Sequence, residues 1–452
     1  MTSRRDTYQL GPLSETFDQI AADWHGAAAT TRLWNRDTSL WSSGDEGDWL
    51  DWLDAVANHR EAVPEINALV EEVRKEGITD VVLLGMGGSS LGPEVVAETF
   101  GKVEGFPSLH VLDSTVPDQV RRFRDKVDLK KTLVIVASKS GSTVEPNVLL
   151  DYFIGQLEAE VDSVGQHVVA VTDPGSSLEQ RGGDQGFRTF FHGVPQIGGR
   201  FSALSCFGLL PAALAGVDLD AYLDRAQKMV DACREADQNP GVRLGVAMGT
   251  AWSEGRDKLT LMVSPKLWDI GAWIEQLVAE STGKTGIGLC PVDQEPSRPE
   301  DAYGNDRLFV YLRLTSGVDS DQDKRVERLV AAGQPVVTLT LDDAYDLGAE
   351  FYRWEFATAV VGSLMRINPF NQPNVQESKD ITAALLAKVE AGEGLVEPGL
   401  AGEVGSLVVT TSAGHRSAAE AIEQIFADLI PGDYFALSAF CDRTEQTEAT
   451  FQ

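Results

Sequence analysis

The chain reads as an α/β protein, with parallel sheets flanked by helices. Two observations predict this class. From about residue 61, short β-branched apolar runs alternate with helical stretches. Two of those runs stop abruptly in glycine- or hydroxyl-rich turns that open the next helix. The length of 452 residues, 43% of them hydrophobic, suits two medium domains with sizeable cores.

Residues 1–60 carry Trp24, Trp34, Trp41, Trp49 and Trp52 among acids and show no strand pattern. They are expected to form an N-terminal helical extension. A first domain is expected over 61–220, with strands near 81–85, 109–113, 133–137, 168–172 and 187–191. Five strands alternating with helices imply a parallel sheet with right-handed crossovers. A helical stretch near 203–236 places Leu204, Phe207, Leu210, Leu214 and Val217 at roughly helical spacing. Alternation resumes in a second domain over 221–452, with strands expected near 259–263, 308–312, 336–339, 407–410 and 435–440. The glycine-rich stretch 391–402 is expected to be a surface linker.

The formal net charge is −31, from 69 acidic and 38 basic residues. Nucleic acid and anionic membranes are therefore poor partners. An anionic ligand must be held by oriented dipoles and a few local cations, against a repulsive global field. No run of 18 apolar residues occurs, and Met1-Thr-Ser-Arg-Arg-Asp leads into no apolar signal region, so a cytoplasmic protein is expected. Cys206, Cys233, Cys290 and Cys441 are far apart and form no metal-ligand spacing.

Four stretches carry chemistry. Val134 to Glu145 reads Val-Ile-Val-Ala-Ser-Lys-Ser-Gly-Ser-Thr-Val-Glu. A buried parallel strand ends in the hydroxyls of Ser138, Ser140, Ser142 and Thr143, with backbone N–H groups freed at a helix start. Such a nest binds phosphate without strong net positive charge; the same residues also suit a plain capped helix. Gly85-Met-Gly-Gly-Ser-Ser-Leu-Gly92 is a second strand-to-helix turn, and Ser90 stands where a dinucleotide fingerprint wants its third glycine. The two loops together suggest closure on one small phosphorylated ligand.

Gly198-Gly-Arg-Phe-Ser202 lets backbone approach a ligand closely, and Arg200 either reaches into a cleft or forms a surface ion pair. A helix after Ser264 ends at Glu280-Ser-Thr-Gly-Lys284, with Gly283 as its expected cap. A carboxylate there faces the negative end of the helix dipole, which suits Glu280 to base chemistry; a solvated glutamate is the alternative. In Ile367-Asn-Pro-Phe-Asn-Gln-Pro-Asn-Val-Gln-Glu-Ser-Lys379 a helix is expected near Asn374. Lys379 then lies in its first turns, where the dipole does not favour a cation; it is either functional or simply solvent-facing.

Taken in order, these stretches resemble the glucose-6-phosphate isomerase family, most closely the isomerase half of bacterial transaldolase–isomerase fusions. The resemblance runs from about residue 60 to at least 385. It implies two sugar-isomerase (SIS, flavodoxin-like) domains, each a five-stranded parallel sheet between helices. It also implies interconversion of glucose 6-phosphate and fructose 6-phosphate without metal or organic cofactor, in a homodimer. By motif, Ser138, Ser140, Thr143 and the backbone at Lys139 hold the phosphate, and Gly88 and Ser89 close the other side. Glu280 is the base between carbons 2 and 1, and Arg200 stabilises the enediolate. Gln372 contacts the sugar and Lys379 assists ring opening.

The family also uses a ring-opening histidine from a Gly-x-x-Gln-His-type segment, usually of the neighbouring subunit, and Glu145 matches the residue that orients it. None of His25, His59, His110, His167, His192 and His415 has that context. The chain stops at Gln452, soon after 432–440, which resembles the strand preceding the histidine in the fusions. The expectation is a second domain truncated at its C-terminus and a weakened turnover. The alternatives are a catalytically weak sugar-phosphate-binding module and another SIS enzyme, such as the isomerase domain of an amidotransferase.

Overall fold

A computed structural model describes residues 6–394, 399–404, 407–411, 417–430 and 432–451. Its strands are β1 (Thr7–Gln9), β2 (Asp80–Leu84), β3 (Ser108–Leu112), β4 (Thr132–Ala137), β5 (Val168–Thr172), β6 (Thr189–His192), β7 (Lys258–Val263), β8 (Cys290–Val292), β9 (Arg307–Leu314), β10 (Val336–Leu341), β11 (Gly399–Val404) and β12 (Leu407–Thr411). The described residues fall into two compact units, one reaching Asn371 and including the segment from Asp442 onward, the other Gln372–Cys441.

The first sheet has the order β3-β2-β4-β5-β6, all neighbours parallel. β4 is buried along its whole length, as its unbroken apolar run requires when helices cover both faces. The chain runs outward from β2 to β3 and returns to β4 on the other side of β2. Its direction therefore switches between β2 and β4, and the loops after those two strands flank the crevice where ligands bind in open α/β sheets.

The second sheet has the order β1-β10-β9-β7-β8. β7 to β10 are parallel, but the edge strand β1 runs antiparallel to β10. This sheet is thus built differently from expectation. Strand pairing was not legible in residues 1–60 because β1 is three residues long, too short to show a period. β8 contains Pro291, which cannot donate to a ladder and fits an edge. β1 is anchored by charge: Arg353 Nη1 meets Asp6 Oδ2 at 2.9 Å and Nη2 meets Glu350 Oε1 at 3.1 Å, with all three side chains buried.

One apolar core runs through both sheets. Trp24, Trp41 and Trp52 of the N-terminal stretch are buried in it, and Trp52 packs against Phe201, Tyr352, Phe356 and Phe370. The helix Leu347–Leu364 is buried around almost its entire circumference, its Glu350, Arg353 and Glu355 included. The stretch expected as one helix near 203–236 is two, Cys206–Leu214 and Leu219–Arg234, broken where Gly216 takes φ +95°.

In the second unit, the expected strand at 407–410 forms as β12 but pairs antiparallel with β11, outside the large sheets. Part of the expected linker 391–402 is therefore strand β11. The expected strand at 435–440 does not form. Tyr434, Leu437 and Phe440 are 88%, 69% and 99% exposed, so this apolar run has no sheet to join among the described residues. The helix Pro373–Glu390 starts close to where the sequence places it, with Pro373 at its first position.

Candidate active site

The loop after β4 is held by its own backbone geometry and by neighbouring side chains. Gly141 takes φ +71°, and a Cβ there would stand 2.6 Å from Leu178 N, so only glycine makes this turn. Asn147 Nδ2 donates to the carbonyls of Gly141 and Thr143 at 2.9 and 2.8 Å. Thr172 Oγ1 donates to Ser138 O at 2.7 Å. Within this frame the Ser138 hydroxyl is buried and has no hydrogen-bond partner. Thr143 is the N-cap of the helix Val144–Leu157, yet its side chain makes no capping bond. Ser140 Oγ and Ser142 Oγ lie 2.9 Å apart. The Lys139 ammonium pairs with Asp173 and donates to Pro195 O at 2.8 Å, so its charge is engaged away from the hydroxyl cluster. Glu145 sits in the first turn of the helix, half-buried.

The loop after β2 turns through Gly87–Ser89. A Cβ on Gly88 would lie 2.1 Å from the carbonyl carbon and oxygen of Gly199 and 2.6 Å from Arg200 N. Gly88 is therefore the point where this turn and the Gly199–Phe201 turn touch backbone to backbone. Ser89 is buried beside it.

Arg200 is no surface residue; it is 2% exposed. Its Nε donates to Ser281 Oγ at 2.7 Å, and its Nη2 to Pro369 O at 2.6 Å and Asn371 O at 3.1 Å. Nη1 lies 3.5 Å from Glu280 Oε1 but makes no hydrogen bond, leaving a buried donor beside a carboxylate. Burial holds the guanidinium down to about 10, against the opposing pull of Glu280. Glu280 lies in the last turn of the helix Ile270–Thr282, as its sequence context predicts. Gly283 caps that helix at φ −71°, without the left-handed turn a terminal glycine often supplies.

The structure thus joins Gly88, Ser89, Arg200 and Glu280, and puts Ser138, Lys139, Ser140 and Thr143 on the adjacent loop of the same switch point. Gln372 and Lys379 belong to the other unit. Gln372 is the N-cap residue of the helix Pro373–Glu390, and the Lys379 side chain is exposed on that helix. Sequence reasoning missed Gln276 and Ser281. Gln276 Nε2 donates to Glu280 Oε2 at 3.3 Å and lies 2.7 Å from where a Cβ of Gly87 would be. The i,i+4 spacing of Gln276 and Glu280 on one helix was the available signal.

Each of the five described histidines is engaged elsewhere. His59 bonds Ala55 O, His110 Asp80, His167 Thr132 O and His192 Glu179, while His25 lies 3.8 Å from Asp237. His415 lies outside the described residues.

The phosphoglucose isomerase family model matches residues 50–289, more than half of the chain, and that span holds both loops, Arg200 and Glu280. The chain belongs to the phosphoglucose isomerase family. A glucose-6-phosphate isomerase of Rubrobacter xylanophilus is 31% identical over 386 residues, covering 74% of this chain and 88% of the relative. One from Synechococcus sp. strain JA-3-3Ab is 32% identical over 352 residues, covering 68% of this chain and 66% of the relative. This member of the family thus spans about two thirds of that cyanobacterial relative. A crystal structure of a hypothetical protein from Thermus thermophilus superposes with a TM-score of 0.71 at 27% identity, covering 84% of this chain and all of that one. Among the described residues no helix is long and apolar enough to cross a membrane.

Proposed function

We propose that this phosphoglucose isomerase family member interconverts glucose 6-phosphate and fructose 6-phosphate through a cis-enediol(ate), in the cytoplasm and as a homodimer. The observation that carries the reading is the buried, hydrogen-bond-free Arg200 Nη1 at 3.5 Å from Glu280 Oε1. A carboxylate beside a fixed cation is what proton transfer next to a carbonyl requires. Glu280 takes the proton from carbon 2 of the open-chain aldose, and the electron pair moves to the carbon-1 oxygen. Arg200 stabilises that charge. Oxygen 1 gains a proton, oxygen 2 gives one up, and Glu280 returns its proton to carbon 1, leaving the ketose.

The unpartnered hydroxyl of Ser138 and the free side chain of Thr143 support a phosphate site there, with Ser140 and the Lys139 backbone completing it. Gly88 and Ser89 close the opposite side. Gln372 and Lys379 take sugar-binding and ring-opening roles on the strength of their motifs, and Glu145 matches the residue that orients the family's histidine. The domain limits 1–60, 61–220 and 221–452 are proposed from the alternation of strand and helix patterns along the sequence.

The direct test is turnover of glucose 6-phosphate by the parent chain and by Glu280→Gln, which keeps shape and removes basicity. Turnover is expected to fall on the order of 10²–10⁴-fold, with affinity for fructose 6-phosphate little changed. Near-parental turnover in Glu280→Gln removes this residue from the chemistry. A parent chain that binds sugar phosphate but does not isomerise it is the weak binding module instead.

A further inference from the structure

Lys284, four residues after the base in the same motif, is tied into the site more firmly than a helix-end lysine needs to be. Its Nζ donates to Glu280 O at 2.7 Å and to Asn371 O at 2.8 Å. Arg200 Nη2 donates to that same Asn371 carbonyl. One carbonyl therefore accepts from both cations, and through it the end of the Glu280 helix is fastened to the Pro369–Asn371 strap. The backbone of Lys284 is itself locked. It exchanges two hydrogen bonds of 3.0 Å with Ile287 across Thr285 and Gly286, whose φ values are +50° and +83°. Two consecutive positive φ angles mark a tight turn with little freedom.

From this geometry we infer that Lys284 is a positioning residue. It holds the Glu280 carbonyl and the Asn371 carbonyl in one place, so that Arg200 Nη1 and the Glu280 carboxylate keep the separation that proton transfer needs. The inference rests on the isomerase reading above. Cutting this tie lets the helix end and the strap drift apart, and a displacement of about 1 Å can cost 10²-fold in rate. A pH signature follows. Burial first, and Arg200 second, hold the Lys284 ammonium down to about 8, with Glu280 opposing them. Arg200 and Glu280 are the charged groups facing it. Its charge is present below about pH 8 and is lost above it, which weakens both of its carbonyl bonds.

Three chains are compared at about pH 6 to 9, a range that brackets this titration and stays below that of Arg200: the parent, Lys284→Met and Lys284→Arg. Lys284→Met is expected to lower kcat roughly 10- to 100-fold with KM changed less than about twofold. Lys284→Arg, a cation that does not titrate, is expected to recover most of kcat and to abolish the fall in kcat that the parent shows above about pH 8. A purely structural lysine would lower thermal stability in Lys284→Met without splitting kcat from KM. Parental kcat in Lys284→Met, or an alkaline limb that survives in Lys284→Arg, overturns the inference. Hydrogen exchange by mass spectrometry supplies a readout independent of turnover. Peptides spanning 276–284 and 366–371 should both exchange faster in Lys284→Met, and unchanged exchange in either also overturns it. An inactive parent with this exchange pattern refutes the isomerase reading and leaves the tie standing.

Discussion

At the scale of single residues, the site is defined by polar groups that the protein leaves unsatisfied. A buried hydroxyl or guanidinium N–H without a partner costs about 1–3 kcal/mol, which a bound phosphate or oxyanion would offset. Ser138 Oγ and Arg200 Nη1 are both of this kind, and both belong to loops beside the switch-point crevice of the first sheet. Ser138→Ala combined with Thr143→Ala removes two hydroxyls while leaving the Asn147 and Thr172 frame of the loop intact. Bonds of this type to a phosphate are worth about 1.5–3 kcal/mol each. The dissociation constant for fructose 6-phosphate is expected to rise on the order of 100-fold or more by calorimetry. An unchanged constant places the phosphate elsewhere.

At the scale of elements, the site depends on two turns meeting without side chains between them. The Cβ of an alanine at 88 would fall on the Gly199 carbonyl at 2.1 Å, and backbone cannot yield as a flexible side chain can. Gly88→Ala is expected to part the Gly87–Ser89 and Gly199–Phe201 turns and to carry Arg200 with the second. The measurable outcome is a loss of kcat/KM on the order of 10²-fold, together with a lower melting temperature. Gly183 in the helix Ser177–Asp184 has nothing within 4 Å of its would-be Cβ, so Gly183→Ala is the contrast and should behave as the parent. If Gly88→Ala retains parental kcat/KM, the contact between the turns does not position Arg200.

At the scale of the whole molecule, pH should act through buried carboxyls and net charge together. Burial above all, then Asp269 and Asp113, pushes Glu94 up to about 8. Burial likewise raises Asp269 to about 7 and Asp293 to about 6, and it lifts Glu355 well above the carboxylate range. A raised carboxyl keeps its proton in the folded state where the unfolded chain releases it. Its stabilising contribution is therefore fullest below the ordinary carboxylate pKa and is lost as pH climbs from about 4 toward 8. Glu76 and Asp323 are shifted the other way by Arg188 and Arg313, and their contribution is lost in acid. The melting temperature should peak near about pH 4 to 5, at roughly the crossover of these two sets, and decline by about pH 8. Added salt should raise it at about pH 8 by screening the −31 net charge. Glu94→Gln should flatten the decline. A melting temperature that is level or rising from about pH 5.5 to 8 contradicts this account.

What the sequence by itself determined was local. The β-branched run 133–137 is a buried strand because an unbroken apolar run of that length is hidden on both faces of a covered sheet, and the hydroxyl cluster after it marks a helix start. The motif at 280–284 puts Glu280 at a helix end for the same short-range reasons. Only the tertiary structure decided that Arg200 is buried, because Ser281, Pro369 and Asn371, which hold it, come from distant parts of the chain. It also decided that the second sheet takes β1 and β8 in place of the runs near 407 and 435. A short or proline-bearing edge strand leaves no periodic trace, and an apolar run becomes a strand only where a partner's N–H and C=O groups are free to pair. Pairing across hundreds of residues is settled by which faces the whole chain brings together, and no window of sequence contains that information.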